Sequence, residues 1–179
     1  MKTDEWFSQS LLHKLQQEAT TKIFGKGEYL VREGEIEKYI YFIETGAVRA
    51  FITSDAEEQT IRFGYAGSFI TSISSFITQR PSEMAIEALR KTTAKVISRN
   101  SLLAMVHADM QSQQQYITML ETLITQQMER ETDLLTTNPA ARLQRVLDRS
   151  PNLFQEIPLK YIASYLRMTP ETLSRIRNS

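Results

Sequence analysis

Glu171, Ser174, Arg175 and Asn178 recur at i, i+3, i+4 and i+7, a spacing that gathers four hydrogen-bonding side chains on one side of a helix. That set suits the edge of a base pair. Arg175 can donate twice to guanine O6 and N7, Glu171 can accept from cytosine N4, and Ser174 can meet a base edge or a thymine methyl. Arg177, beside this row, is suited to a phosphate oxygen. Thr169 is placed to cap the helix, Pro170 suits its first turn, and Glu171 complements its dipole.

Leu173 and Ile176 point the other way. With Ile162, Leu166 and Met168 they supply the buried side chains that two short crossing helices need, and Ala163 lets the second helix approach closely. Residues 157–179 therefore have the spacing of a DNA-binding helix-turn-helix. An ordinary helical hairpin with a solvated charged face is the competing reading; agreement among inner positions, outer positions and cap favours the first.

The surrounding charge is consistent with a phosphate backbone. The formal net charge of the 179-residue chain is zero. Residues 138–179 nonetheless carry Arg142, Arg145, Arg149, Lys160, Arg167, Arg175 and Arg177 against Asp148, Glu156 and Glu171, leaving the remainder acidic. With no cysteine, disulfides, thiolate zinc sites and cysteine-ligated iron–sulfur clusters are excluded, and no metal is expected. No apolar run approaches membrane-spanning length, and MKTDEWFSQSLL lacks the pattern of a secretory signal, so a cytoplasmic protein without membrane association is expected.

The elements that must position this face are legible in outline. All the glycines (Gly25, Gly27, Gly34, Gly46, Gly64, Gly67) lie in one segment that also alternates. Residues 39–43, 48–52, 60–63, 86–89 and 95–98 read as strands, with turns near Glu33-Gly34, Thr45-Gly46, 54–58 and Ala66-Gly67. Short strands at this spacing predict an antiparallel roll over about residues 20–98. Residues 4–19 read as an amphipathic helix packed on it.

Residues 101–135 contain neither glycine nor proline and read as one long helix, whose apolar stripe a second copy of the chain would cover. The alternative is a helix lying across its own roll. Asn138-Pro139 starts a new helix, which makes residues 136–138 a hinge. The expectation is an α+β chain: an antiparallel β-roll, or double-stranded jelly roll, over 1–100, a dimerisation helix and hinge over 101–137, and an all-α helix-turn-helix unit over 138–179.

This order resembles the cAMP receptor protein/Fnr superfamily of bacterial transcription regulators across nearly the whole chain. FGKGEYLVREGE (24–35) and YIYFIETGAVRAF (39–51) look like the start of a cyclic-nucleotide-binding roll, and Glu171, Ser174 and Arg175 match the Glu-x-x-Ser-Arg reading motif of the Fnr branch. The resemblance implies a homodimer through residues 101–135, double-stranded DNA as partner, a small-molecule effector of unknown identity, and a place for RNA polymerase contact. DNA-directed residues would be Thr169, Pro170, Glu171, Ser174, Arg175, Arg177 and Asn178.

Its ligand cassette, a Gly-Glu pair for ribose and an Arg-Ser pair for cyclic phosphate, matches here at Gly67-Ser68 and Pro81-Ser82. Gly67, Ser68, Phe69, Ile70, Arg80 and Ser82 are the effector-site candidates that follow, with Phe69, Ile70, Ile73 and Phe76 serving as pocket lining or simply as core. Loss of the charged residues at Ser68 and Pro81 disfavours cAMP, although the fold leaves a cyclic nucleotide conceivable.

Two departures stand out. Arg167 replaces the usual turn glycine, where a left-handed backbone would cost about 1 kcal/mol. The sequence also stops at Ser179, where the resemblance would lead into a wing, so either weaker DNA binding or a shortened form of the sequence is expected. The runner-up reading is a sensor or interaction module with little DNA affinity. An enzyme on a metal-binding roll would need histidines inside it, whereas His13 and His107 fall on expected helices outside it.

Overall fold

The computed structural model describes residues 18–178. The helix expected over 4–19 falls almost wholly outside them, as does His13. Eight strands follow: β1 (Thr20–Phe24), β2 (Tyr29–Val31), β3 (Tyr39–Thr45), β4 (Ala47–Ser54), β5 (Glu57–Tyr65), β6 (Phe69–Ile70), β7 (Ala85–Ala88) and β8 (Thr92–Ser98), with a short helix α1 (Ile73–Thr78) between β6 and β7. They pair antiparallel in two four-stranded sheets, ordered β1-β8-β3-β6 and β2-β7-β4-β5. Tyr41, Ile43, Ala94 and Val96 of one sheet meet Val31, Val48, Ala50 and Ile86 of the other, so the expected roll closes around a shared apolar core.

The five strands read from alternation are present; four run slightly longer than the apolar pattern, and β7 is shifted by one residue at the same length. The short β2 and β6 and the mostly exposed β1 carry too little pattern to be read. The turns sit where glycine marked them. Gly46 is the strictest case: its φ is +94° and an added Cβ would stand 2.6 Å from the Lys91 carbonyl oxygen. Asp55 and Ala56, with φ of 52° and 65°, form the two-residue hairpin between β4 and β5.

The long helix expected over 101–135 is instead two helices, α2 (Arg99–Ala108) and α3 (Met110–Leu135). Asp109 divides them. Its backbone is extended, and its carboxylate accepts from the Ser112 N–H at 2.7 Å, which caps α3 without any glycine or proline. Leu102 and Val106 of α2 and Met119 of α3 join Ile40, Phe69, Phe76 and Ile97 in a second core on the roll.

Both readings of α3 hold part of the truth. One face, with Tyr116, Met119, Leu120 and Leu123, lies on its own roll. The other leaves Ile117, Ile124, Met128 and Leu135 exposed. These fall at i, i+7, i+11 and i+18, a continuous seam.

Asn138 then caps α4 (Pro139–Arg149) through the N–H groups of Ala140 and Ala141, with Pro139 in the first turn as expected. Three short helices complete the described chain: α5 (Leu153–Glu156), α6 (Leu159–Tyr165) and α7 (Pro170–Arg177). Leu143, Val146, Leu153, Ile162, Ala163, Leu166 and Leu173 form their core, which continues onto Ala47, Phe63 and Tyr65 of the roll. Among the described residues no helix is long and apolar enough to cross a membrane.

Candidate functional site

The outward side of α7 is built from its buried side. Leu173 is fully buried against Ile162, Ala163 and Leu166, and Met168 and Ile176 pack around them, which turns Glu171, Arg175, Arg177 and Asn178 to the exterior. Ser174 is half-buried at the edge. The Thr169 hydroxyl accepts from the Thr172 N–H at 3.2 Å, fixing the start of the helix. Its own backbone N–H and the Thr169 hydroxyl hold the Glu171 carboxyl below the usual carboxylate range, so it faces outward as an ionised acceptor.

Between α6 and α7 the chain reverses through Arg167, whose φ is 55°. The N–H groups of Arg167 and Met168 donate to Ser164 and Ala163, closing the turn in the left-handed conformation expected at this position. Arg177 leans back over the Phe154 ring, 5.5 Å from its centroid, and must leave that ring to reach a phosphate.

Not all of the basic surplus faces outward. Arg145 and Arg149 of α4 converge on Asp133 of α3, which is fully buried: Arg145 Nε donates to Oδ1 at 2.8 Å and Arg149 Nη2 pairs with Oδ2. Glu129 adds a contact to Arg149 Nε at 3.3 Å. Arg142 donates to the carbonyls of Thr136 and Leu166 at 3.0 and 2.6 Å. These three arginines fasten α4 to α3 and to the α6–α7 turn. Reading them only as charge missed this; the signal was one acidic residue, Asp133, facing arginines across the 136–138 connection.

In the roll, the expected effector residues separate. Ser82 is buried, and its hydroxyl is bonded to the Ser72 hydroxyl at 2.8 Å, to the Met84 carbonyl at 2.7 Å and to the Met84 N–H at 3.2 Å. Ser72 thus faces Ser82, whereas Ser68 sits in the β5–β6 turn and accepts from the Tyr65 N–H at 3.3 Å. The expected pair of Ser68 with Ser82 is therefore not brought together. Ile70 belongs to the roll core, Phe69 and Phe76 to the core beneath α2 and α3, and Arg80 is exposed. Gly67, Ser68 and Phe69 instead border a cavity of about 130 Å³ between β5, α3 and α4.

Sequence reasoning also missed Glu37. It is buried, with Oε1 accepting from the Tyr39 N–H at 2.9 Å and the backbone N–H groups of Lys38 and Ser72 nearby, while Oε2 has no hydrogen-bond partner. Its own N–H donates to the Ser75 hydroxyl at 2.9 Å, and the Tyr41 hydroxyl lies 3.4 Å from Oε1. Burial pushes the carboxyl up to about 7 despite these donors. A charged residue inside a turn-rich segment carries no periodic signal. His107 is exposed on α2, far from any role inside the roll.

Residues 21–109 match the family model of the cyclic nucleotide-binding domain. No curated protein sequence matches the chain. Among solved structures, FixK2 from Bradyrhizobium japonicum has a TM-score of 0.75 at 24% identity, over 89% of this chain and 83% of that one. The catabolite activator protein of Thermus thermophilus has a TM-score of 0.60 at 20% identity, over 96% and 82%. A CooA mutant from Carboxydothermus hydrogenoformans has a TM-score of 0.69 at 16% identity, over 92% and 77%. At such identities the likeness establishes the fold.

Proposed function

We propose that the chain is a cytoplasmic, dimeric, DNA-binding transcription regulator of the Crp/Fnr type, with no catalytic activity of its own. Its sensor roll (residues 1–100) is joined by a dimerisation helix and hinge (101–137) to a helix-turn-helix unit (138–179). The observation that carries this reading is the exterior of α7, where a capped helix anchored by Leu173 presents Glu171, Ser174 and Arg175 together.

DNA binding tests it. Fluorescence anisotropy on a selected site and on random duplex should show Arg175→Ala losing about 1–3 kcal/mol on the selected site alone, because a bidentate guanine contact disappears. Arg177→Ala should weaken both duplexes alike and lower the salt slope by about one. Equal losses on both duplexes for Arg175→Ala would remove its reading role.

The exposed seam of α3 supports the dimer. Ile117, Ile124 and Met128 are 47%, 63% and 58% exposed, and parallel pairing of two such seams would bury them. Light scattering should give twice the chain mass at micromolar concentration, and Ile124→Lys should shift it to monomer. A wild-type chain that stays monomeric under those conditions would refute the pairing.

The effector is a molecule other than cAMP. In place of a phosphate-binding arginine the roll has Pro81, the Ser82 hydroxyl is already bonded to Ser72 and Met84, and the buried Glu37 carboxyl lies beside this segment. A second reading, a sensor module with little DNA affinity, draws support from Arg142, Arg145 and Arg149, which are engaged internally and withdrawn from any phosphate. A flat salt dependence of DNA binding would select it.

A further inference from the structure

We propose that the cavity between β5, α3 and α4 is a binding site for a compact oxyanion, a carboxylate or phosphate group held by Arg62 and Arg130. Neither arginine has an ion pair among the described residues. Arg130 is 8% exposed. Its Nη2 donates to the Tyr165 carbonyl, its guanidinium lies 3.6 Å from the centroid of the Tyr165 ring, and its Nη1 is buried without a hydrogen-bond partner. A buried guanidinium with an idle donor is costly unless an anion completes it. Burial also draws the pKa of both guanidiniums below the usual arginine value, offset only in part by Tyr165 and, for Arg130, by the nearby Asp133 carboxylate.

The rest of the lining agrees. Arg149 is already paired with Asp133 and Glu129, so Arg62 and Arg130 carry the unbalanced positive charge of the lining, which also includes Ser68 and Ser150. Ser82 and Pro81, the residues of the roll's cassette, take no part in it, which separates this site from a cyclic-nucleotide pocket. Its volume of about 130 Å³ decides the ligand class. Pockets for drug-sized molecules run from about 300 Å³ upward, so the enclosed part of this one matches inorganic phosphate or a short dicarboxylate rather than a whole nucleotide. A planar carboxylate or a phosphate also matches the guanidinium fork.

The site joins three parts of the fold: β5 from the roll, Arg130 from α3, and Arg149 and Ser150 at the end of α4. An anion there would tie the terminal helices to the roll. That regulatory consequence rests on the regulator reading above, but the binding does not.

Thermal denaturation of the full chain, with inorganic phosphate and succinate as probes and chloride at matched ionic strength as reference, tests it without DNA. At least one probe should raise the Tm in a saturable way. Phosphate acting alone identifies a phosphoryl-type ligand and succinate acting alone a carboxylate-type one. Arg62→Gln should raise the half-saturating concentration roughly ten- to hundredfold while leaving the circular dichroism spectrum unchanged. Should that variant not fold, Arg62→Lys keeps the charge but loses the fork and should weaken succinate severalfold. No saturable shift beyond chloride, or the same half-saturation in wild type and the folded variants, overturns the proposal. Failure of DNA binding in a chain that still binds the probe would overturn only the regulator reading.

Discussion

Asp133→Asn should destabilise the protein by about 3 kcal/mol, because the substitution removes the one negative charge on which two arginines of α4 converge. The carboxylate is fully buried, and asparagine preserves its shape while leaving Arg145 and Arg149 without their shared counter-ion. Losses on breaking a buried pair run from about 3 to 5 kcal/mol; the lower end applies here because Arg145 and Arg149 are 40% and 28% exposed and regain some water. Glu129→Gln is the control. Its pair with Arg149 is 3.3 Å long and exposed, so its loss should stay within about 1 kcal/mol. Urea denaturation compares the two, and an Asp133→Asn midpoint as close to wild type as that of Glu129→Gln would mean the clamp contributes little.

Glu37→Gln should abolish the pH dependence of stability that this site contributes. The folded-state carboxyl titrates at about 7 against an ordinary 4.5, so between these values the folded protein holds a proton that the unfolded chain has released. Stability from this group is therefore complete below about pH 4.5 and is lost as pH rises through about 7. The difference amounts to about 3 kcal/mol. Glutamine cannot ionise, so the variant should gain on wild type by that amount between pH 5 and pH 8. Urea midpoints across that range, taken on both proteins, give the comparison; parallel profiles would show that the carboxyl titrates normally. The Tyr41 hydroxyl, buried beside it, is pushed well above the usual tyrosine range by burial and by this carboxyl.

Where the sequence was legible, a local rule and the tertiary structure asked for the same residue. Strands β3, β4 and β5 carry β-branched and aromatic residues between turn signals, Asn138-Pro139 caps a helix, and Leu173 with Ile176 defines the inner side of α7. Arg167 shows the same logic under strain: its position required a left-handed backbone, and the chain adopts it at an arginine. The rest depended on partners distant in sequence. Asp109 ends a helix with the same side chain that other helices tolerate in their middle, and only its bond to Ser112 distinguishes it. Ser72 rather than Ser68 meets Ser82 because α1 folds back across the roll. Asp133 lies in an ordinary helical stretch, and its meaning resides in Arg145 and Arg149 on the following helix.

The two-faced surface of α3 has a mechanical consequence. Met119 is gripped by the roll, Ile117 lies on the opposite side, and Asp133 is locked to α4 one rod-length away, about 21 Å along the axis. A helix held at both ends in this way acts as a torsion shaft. A twist of about 20° moves side chains at a radius of about 5 Å by roughly 2 Å, enough to unseat a packed methionine. Any ligand that turns Met119 in its socket therefore rotates the seam carrying Ile117 and Ile124 in the same stroke. The Asp133 lock couples that rotation to α4, and the packing of its core on Ala47, Phe63 and Tyr65 of the roll resists it.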